Sequence, residues 1–280
     1  MADIAASVLA KLRNKAKASG ISYQRCLQLF MQEEFLRKLS NSGYGDFLIL
    51  KGGLFIYTLT NFESRATIDV DFLLRGYSNS IDDVKNLICK VIETPTGNDY
   101  IEMEAKGFEE ISPQRKYHGI STQIIGRIKN VRVPFNVDIG VGDVIVPKAE
   151  QRKISTQLPD FEAPVIKTYS IESTIAEKFD AILQRFELTG RMKDFYDIYY
   201  LSRTVTSQQK WTRKSFKKRN ESQYFVNLLK STALFHGLLA GDLCRHDVPA
   251  KERSSPRAIR PGTSLSYRLL IVKQLSRHKC

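Results

Sequence analysis

Residues 48–75 read Leu-Ile-Leu-Lys-Gly-Gly-Leu-Phe-Ile-Tyr-Thr-Leu-Thr-Asn-Phe-Glu-Ser-Arg-Ala-Thr-Ile-Asp-Val-Asp-Phe-Leu-Leu-Arg. An apolar run ends at Lys51-Gly52-Gly53, a short apolar stretch follows, and Arg65 and Thr67 lead into the alternating segment Ile68–Leu74. Residues two apart on a strand share a face, so the pattern predicts a strand with Asp69 and Asp71 projecting together. Ile68, Val70 and Phe72 are then expected on the opposite, buried face. Neighbouring carboxylates disfavour each other's ionisation unless a cation lies between them. Hard cations such as Mg2+ take such oxygen ligands and complete their shell with substrate phosphates. The glycine pair frees the backbone ahead of a helix, whose N-terminal N–H groups suit a phosphate.

Outward from this stretch, Ile4, Val8 and Leu12 recur at helical spacing and predict a helix over 3–18, ended by Gly20. Ser22 is placed to cap a second helix over 23–40. Gly76–Asn79 reads as a turn and Ile81–Ile92 as a helix. Residues 100–147 read as strands: 100–105, 121–128 and the strongly alternating Val131–Ile139. Pro134 points to an edge position or a bulge for the last of these. Asp138 stands near its end, where an adjacent strand could add a third carboxylate, and Asp143 is expected to serve the turn that follows.

Pro147–Lys167, with three prolines, reads as a polar connector. Ser170–Glu187 then reads as a helix with Ile175, Phe179, Ile182, Leu183 and Phe186 on its buried face. Ser170 is not followed by the Glu of a capping box. After Gly190 a helix resumes over 191–202, with Asp194 and Asp197 three apart on one face.

The order and spacing of these pieces resemble a known family. Gly-Gly followed by D-x-D is similar to the nucleotidyltransferases of the DNA polymerase β superfamily. More narrowly, K-G-G-x(11)-R-x-T-x-D-x-D resembles the AbiEii-type toxins. Ala176-Glu177-Lys178-x-x-Ala181 and R-M-K-D-F-Y-D-I-Y-Y-L (residues 191–201) look like two further motifs of that family, and Trp211–Arg219 like a third. The resemblance covers roughly residues 20–219.

It implies an α/β (α+β) fold: a nucleotidyltransferase-like mixed sheet flanked by helices, with a helical C-terminal half. It also implies transfer of a nucleoside monophosphate from an NTP to an RNA acceptor, tRNA foremost, by the toxin of a toxin–antitoxin pair. Asp69, Asp71, Lys178 and Asp194 are the catalytic candidates. Lys51, Gly52, Gly53, Arg65, Thr67 and Lys178 are the candidates for binding nucleotide, with Arg65 anchoring either its loop or a phosphate. Asp69, Asp71 and Asp138 are the candidate ligands for Mg2+, with two ions expected. A separately encoded antitoxin is the expected protein partner. The same fold could instead modify a protein hydroxyl, or the chain could be an inert nucleic-acid or partner-binding protein.

The chain of 280 residues carries a net charge of +13. Residues 201–280 hold 17 Lys and Arg against 4 Asp and Glu, which accounts for the whole excess. Basic attraction for nucleic acid therefore belongs to the tail, not to the carboxylate-bearing region. The expected organisation is a core over 1–147, a helical part over 165–219 and a basic tail over 220–280. Four separated cysteines form no C-x-x-C and suggest free thiols. No apolar run of membrane-spanning length and no secretory leader is visible, so a cytoplasmic protein without a membrane partner is expected.

Overall fold

The computed structural model describes residues 3–184 and 193–201, apart from residues 63, 66, 112–118, 144, 146, 147 and 199. The chain divides into two units, Met1–Asn227 and Leu228–Cys280. Every described residue lies in the first. The Trp211–Arg219 motif and the basic tail lie outside the described residues.

Helix α1 (Ile4–Ser19) starts where the Asp3 carboxylate accepts the Ala6 N–H, and it stops at Gly20, whose φ of +69° suits a residue without Cβ. Helix α2 (Tyr23–Asn41) starts as the capping pattern requires, with Ser22 accepting the Arg25 N–H. From Cys26 to Leu39 every residue of α2 is buried. Its charged residues are therefore paired internally: Arg37 Nε donates to Glu34 at 2.7 Å, Asn98 to Glu34 at 2.8 Å, and Lys38 to the Thr94 carbonyl at 2.8 Å.

Strand β1 (Leu48–Lys51) runs into α3 (Gly52–Leu59), and β2 (Val70–Leu74) returns antiparallel beside β1. Helix α4 (Ile81–Glu93) follows, capped by Ser80, and then β3 (Ile101–Ile111), β4 (Gly119–Ile128) and β5 (Val131–Gly140). The remaining described elements with defined bounds are β6 (Glu150–Lys153), β7 (Val165–Thr168) and α5 (Ile171–Gln184). The seven strands form one mixed sheet in the order β3-β4-β5-β2-β1-β7-β6. Helix α2 lies against β5 and β7, with the Phe35 ring 6.1 Å from Phe72 and 6.2 Å from Phe135. This is the apolar core, and Val70, Phe72, Val137 and Ile139 all face burial in it. No helix among the described residues is long and apolar enough to cross a membrane.

Two expectations are corrected here. Strand β5 is neither an edge nor bulged: it lies between β4 and β2. Pro134 is tolerated because β2 joins β5 only from Val137 onward. The Pro134 carbonyl accepts from Gln28 Nε2 at 3.4 Å, and N and C=O of one strand residue point the same way. The missing N–H therefore faces the side on which no strand is paired. The connector over 147–167, in turn, is not bare. Its first part forms β6, which pairs antiparallel with β7 at one edge of the sheet. Gln157 within it is buried, its N–H donating to Glu33 at 3.0 Å.

Candidate active site

The local geometry begins at the glycine pair. Lys51 is extended, Gly52 has a φ of +68°, and α3 starts there. The β1–β2 register sets Lys51 opposite Asp71. A Cβ on Gly52 would land inside the Asp71 carboxylate, and one on Gly53 would stand 2.8 Å from Thr67 Oγ1. Both glycines are thus required by close approach, and Gly52 by its left-handed backbone as well.

Parallel pairing of β2 with β5 puts Asp71 directly opposite Asp138. The third carboxylate thus stands on the adjacent strand, 67 residues later in the chain. Asp69 differs from expectation. Strand β2 begins only at Val70, and residues 68–69 form a bend. Ile68 is 50% exposed instead of buried, while Val70 and Phe72 are buried as their alternation requires. The cause lies in α2, whose Gln28 and Gln32 side chains donate to the Ile68 carbonyl at 3.3 and 2.6 Å, while Arg25 donates to the Thr67 carbonyl at 3.3 Å. The segment is held by helix side chains rather than by a strand ladder.

Asn136 Nδ2 donates to Asp69 Oδ1 at 3.4 Å, and Ser121 Oγ to Asp138 Oδ1 at 2.5 Å. Burial pushes the Asp71 carboxyl up to about 6, with Asp138 adding to the rise and Lys51 opposing it. Asp69 is raised too, by burial first and then by Asp138. The carboxylates stand close enough to work against one another's charge, which is the electrostatic condition a divalent cation relieves. Among the described residues no three acidic, imidazole or thiol side chains already close around a single point. The donor set therefore fits an ion held by one or two carboxylates and completed by phosphate oxygens.

Two clusters of opposite charge complete the site. Lys51 Nζ lies 2.6 Å from Asp143 Oδ2 and 3.0 Å from Glu177 Oε1, and the Tyr169 hydroxyl donates to Asp143 at 2.9 Å. Burial works against the Lys51 charge, and Glu177 and Asp143 outweigh it, holding the ammonium above its usual range. Asp143 therefore does more than serve a turn. Helix α5 delivers Glu177, and Ser170 caps that helix by accepting the Ser173 N–H at 3.1 Å.

The next residue of α5, Lys178, is buried and reaches Asp194 Oδ1 at 3.1 Å and Asp197 Oδ2 at 2.6 Å. Residues 193–198 and 200–201 are helical, and both aspartates point inward. Arg65 grips Asp197 with two bonds, Nε at 2.8 Å and Nη2 at 2.5 Å. These two bonds link the Arg65 loop to that helix. Lys193 is exposed; Arg191, like the expected buried residues Ile182, Leu183 and Phe186, lies outside the described residues or side chains.

The sequence reading passed over Tyr169 and Glu177 and ranked Asp197 below Asp194. Glu177 carried a signal, since it adjoins Lys178 in the Ala-Glu-Lys motif, and so did Asp197, three residues after Asp194. Tyr169 carried none.

The sequence profile of the nucleotidyl transferase AbiEii toxin family, a type IV toxin–antitoxin system, matches residues 34–260. The chain belongs to that family. No curated protein matches it in sequence. Among solved structures it is similar to JHP933 from Helicobacter pylori, at 16% identity and a TM-score of 0.40, covering 62% of this chain and 66% of that one. The chain thus spans just under two thirds of that protein's length. It is also similar to ANT(2'')-Ia in complex with adenylyl-2''-tobramycin, at 14% identity and a TM-score of 0.35, covering 70% of this chain and 92% of that one.

Proposed function

We propose that this member of the AbiEii nucleotidyltransferases transfers a nucleoside monophosphate from an NTP to a hydroxyl of an RNA, with tRNA as the acceptor class. In this reading it acts in the cytoplasm as a toxin restrained by a separately encoded antitoxin. The observation that carries the reading is the register of Asp71 against Asp138, directly under the Gly52 backbone.

Asp69, Asp71 and Asp138 are the residues that would hold two Mg2+ ions, each on one or two of these carboxylates, and the ions would supply neutralisation of phosphate charge and acidification of the acceptor hydroxyl. The chain's own groups do the rest. The α3 N-terminus at Gly52 and Gly53 offers backbone N–H groups to the triphosphate. Lys178 has three N–H donors, of which two serve Asp194 and Asp197; the third is assigned to a phosphate oxygen. Lys51 sits opposite Asp71 and balances the carboxylate charge from the other side. Thr67 packs against Gly53 and keeps the approach to the helix start narrow. Arg65 and Asp197 act together to position Lys178.

In the transfer, the acceptor oxygen bonds to the α-phosphorus and the bond from that phosphorus to the β-bridging oxygen breaks. Pyrophosphate leaves with the electron pair, and the hydroxyl proton passes to Asp138, whose carboxyl is oriented by Ser121.

The test is incubation of the purified chain with Mg2+, each labelled NTP in turn, and total tRNA or lysate. Label in RNA that is lost in both Asp69→Ala and Lys178→Ala is the expected result. Label in protein would transfer the acceptor assignment to a protein hydroxyl. No label from any NTP with a folded sample would overturn the enzymatic reading.

A further inference from the structure

Strand β4 carries Ser121 opposite Asp138 and Gln123 opposite Asn136. Residues two apart and residues directly opposite share a face of a sheet. Ser121, Gln123, Asn136 and Asp138 therefore form one polar strip across two strands, starting at the carboxylates. The strip leads into a cavity of about 370 Å3 lined by Arg25, Gln28, Gln123, Asn136, Ile68 and Pro134, among others. The cavity lies where β2 has not yet begun: beside Pro134–Asn136 of β5 its wall is Ile68 of the bend at 68–69, not a paired strand. Asn136 joins cavity and site directly, since it lines the first and donates to Asp69 in the second.

We propose that this cavity seats a nucleobase of the acceptor RNA, presenting a neighbouring hydroxyl to Asp138 and Asp69. The inference rests on the nucleotidyltransferase reading above and specifies its acceptor.

Three features of the lining select a nucleotide. Gln123 and Asn136 carry amides, each a coplanar donor and acceptor of the kind that pairs with a base edge. Ile68, half exposed at the cavity wall, and Pro134 supply apolar surface for the flat face of a base. No carboxylate is among the described lining residues, whereas the Arg25 guanidinium is, so the cavity favours an anionic ligand over a polycationic one. The walls are held in place independently of any ligand. Gln28, itself buried, donates to both the Ile68 and Pro134 carbonyls and accepts from Arg25 at 3.0 Å.

The base of the donor NTP is chemically the same kind of ligand, so the experiment separates the two. Gln123 is exposed on its strand, and its replacement leaves the core untouched. Binding of a fluorescent single-stranded RNA oligonucleotide and of each NTP is measured separately by anisotropy on wild type, Gln123→Ala, Gln123→Glu and Ile68→Ala. KM values for RNA and NTP are measured alongside in the label-transfer assay. Loss of a stacking or amide contact to one base predicts RNA affinity weakened on the order of tenfold in Gln123→Ala and Ile68→Ala, with NTP affinity unchanged. Gln123→Glu is expected to weaken RNA binding further through charge repulsion. Weakened NTP binding with RNA binding intact would overturn the proposal by giving the cavity to the donor base. Unchanged binding of both would overturn it outright, and so would label transfer to protein alone. Absence of transfer by wild type, with RNA binding that responds to Gln123, would instead refute the enzymatic reading and leave the cavity as an RNA site.

Discussion

Replacing Asp71 with Asn removes one charge from the carboxylate group while nearly preserving shape. Burial and the neighbouring Asp138 raise this carboxyl from 3.8 to about 6, with Asp69 and Glu177 contributing in the same direction and Lys51 against. Each pH unit of such a shift corresponds to about 1.4 kcal/mol, so ionised Asp71 costs the folded state up to about 3 kcal/mol. Its side chain retains some access to water, which screens part of that cost and leaves an expected gain of about 1–2 kcal/mol for Asp71→Asn.

The sign follows from proton linkage. The folded state binds the Asp71 proton more tightly than the unfolded state, so wild-type stability falls as pH rises from about 4 to about 6. The advantage of Asp71→Asn is therefore full above about pH 6 and disappears by about pH 4. The assay is urea unfolding of both proteins across this range with divalent cations chelated. Added Mg2+ is expected to raise the wild-type midpoint more than the variant's, since a ligand that binds only the folded state stabilises it. The variant is expected to be stabler and inactive. A variant less stable than wild type at neutral pH, or a stability gap that does not respond to pH, would refute the electrostatic account.

Three further outcomes are expected. Arg65→Met removes both guanidinium bonds to the buried Asp197; because Lys178 remains as a partner and Arg65 is partly exposed, denaturant unfolding should show a loss of about 2–3 kcal/mol, with Lys unable to restore it. Gly53→Ala pushes against Thr67 Oγ1 at the start of α3, and it should reduce kcat on the order of a hundredfold in the label-transfer assay, since a displacement near 1 Å has that effect on a positioned substrate. Glu33, buried and pushed up from 4.5 to about 8 chiefly by that burial, is protonated in the folded protein at neutral pH; Glu33→Gln should change stability by less than about 1 kcal/mol at about pH 4, whereas the wild type should lose stability relative to it as pH rises from 4.5 to about 8.

Much of the architecture was legible because it is written in short-range patterns. Ser22 caps the second helix, apolar residues recur at helical spacing in the first and in Ile81–Glu93, and Gly20 ends the first. The strands β3, β4 and β5 alternate or run apolar between turns. Where short-range reading failed, a distant partner overrode it. Ile68 alternates correctly with Val70 and Phe72 but is drawn out of the strand by Gln28 and Gln32, some 40 residues earlier. Pro134 would mark an edge if β5 were paired along both sides throughout, and it does not because β2 begins late. β6 was invisible because its four residues, Glu-Gln-Arg-Lys, are exposed or half-exposed and carry no apolar alternation.

The sequence by itself determined the residue types of the site and their order: two glycines, two aspartates two apart, a third aspartate before a glycine turn, and the Ala-Glu-Lys and Lys-Asp helices. The glycines and the three aspartates are legible from periodicity and turn chemistry within about ten residues, where local physics dominates; the Ala-Glu-Lys and Lys-Asp helices stand out through the family resemblance. Only the tertiary structure decided which charges meet. Asp71 faces Asp138 because β2 and β5 pair in one register among several that the alternation would allow. Lys178 meets Asp194 and Asp197, Arg65 meets Asp197, and Lys51 meets Asp143 and Glu177, because buried Lys178, Asp194 and Asp197 and half-buried Lys51 must find partners wherever the fold brings opposite charge.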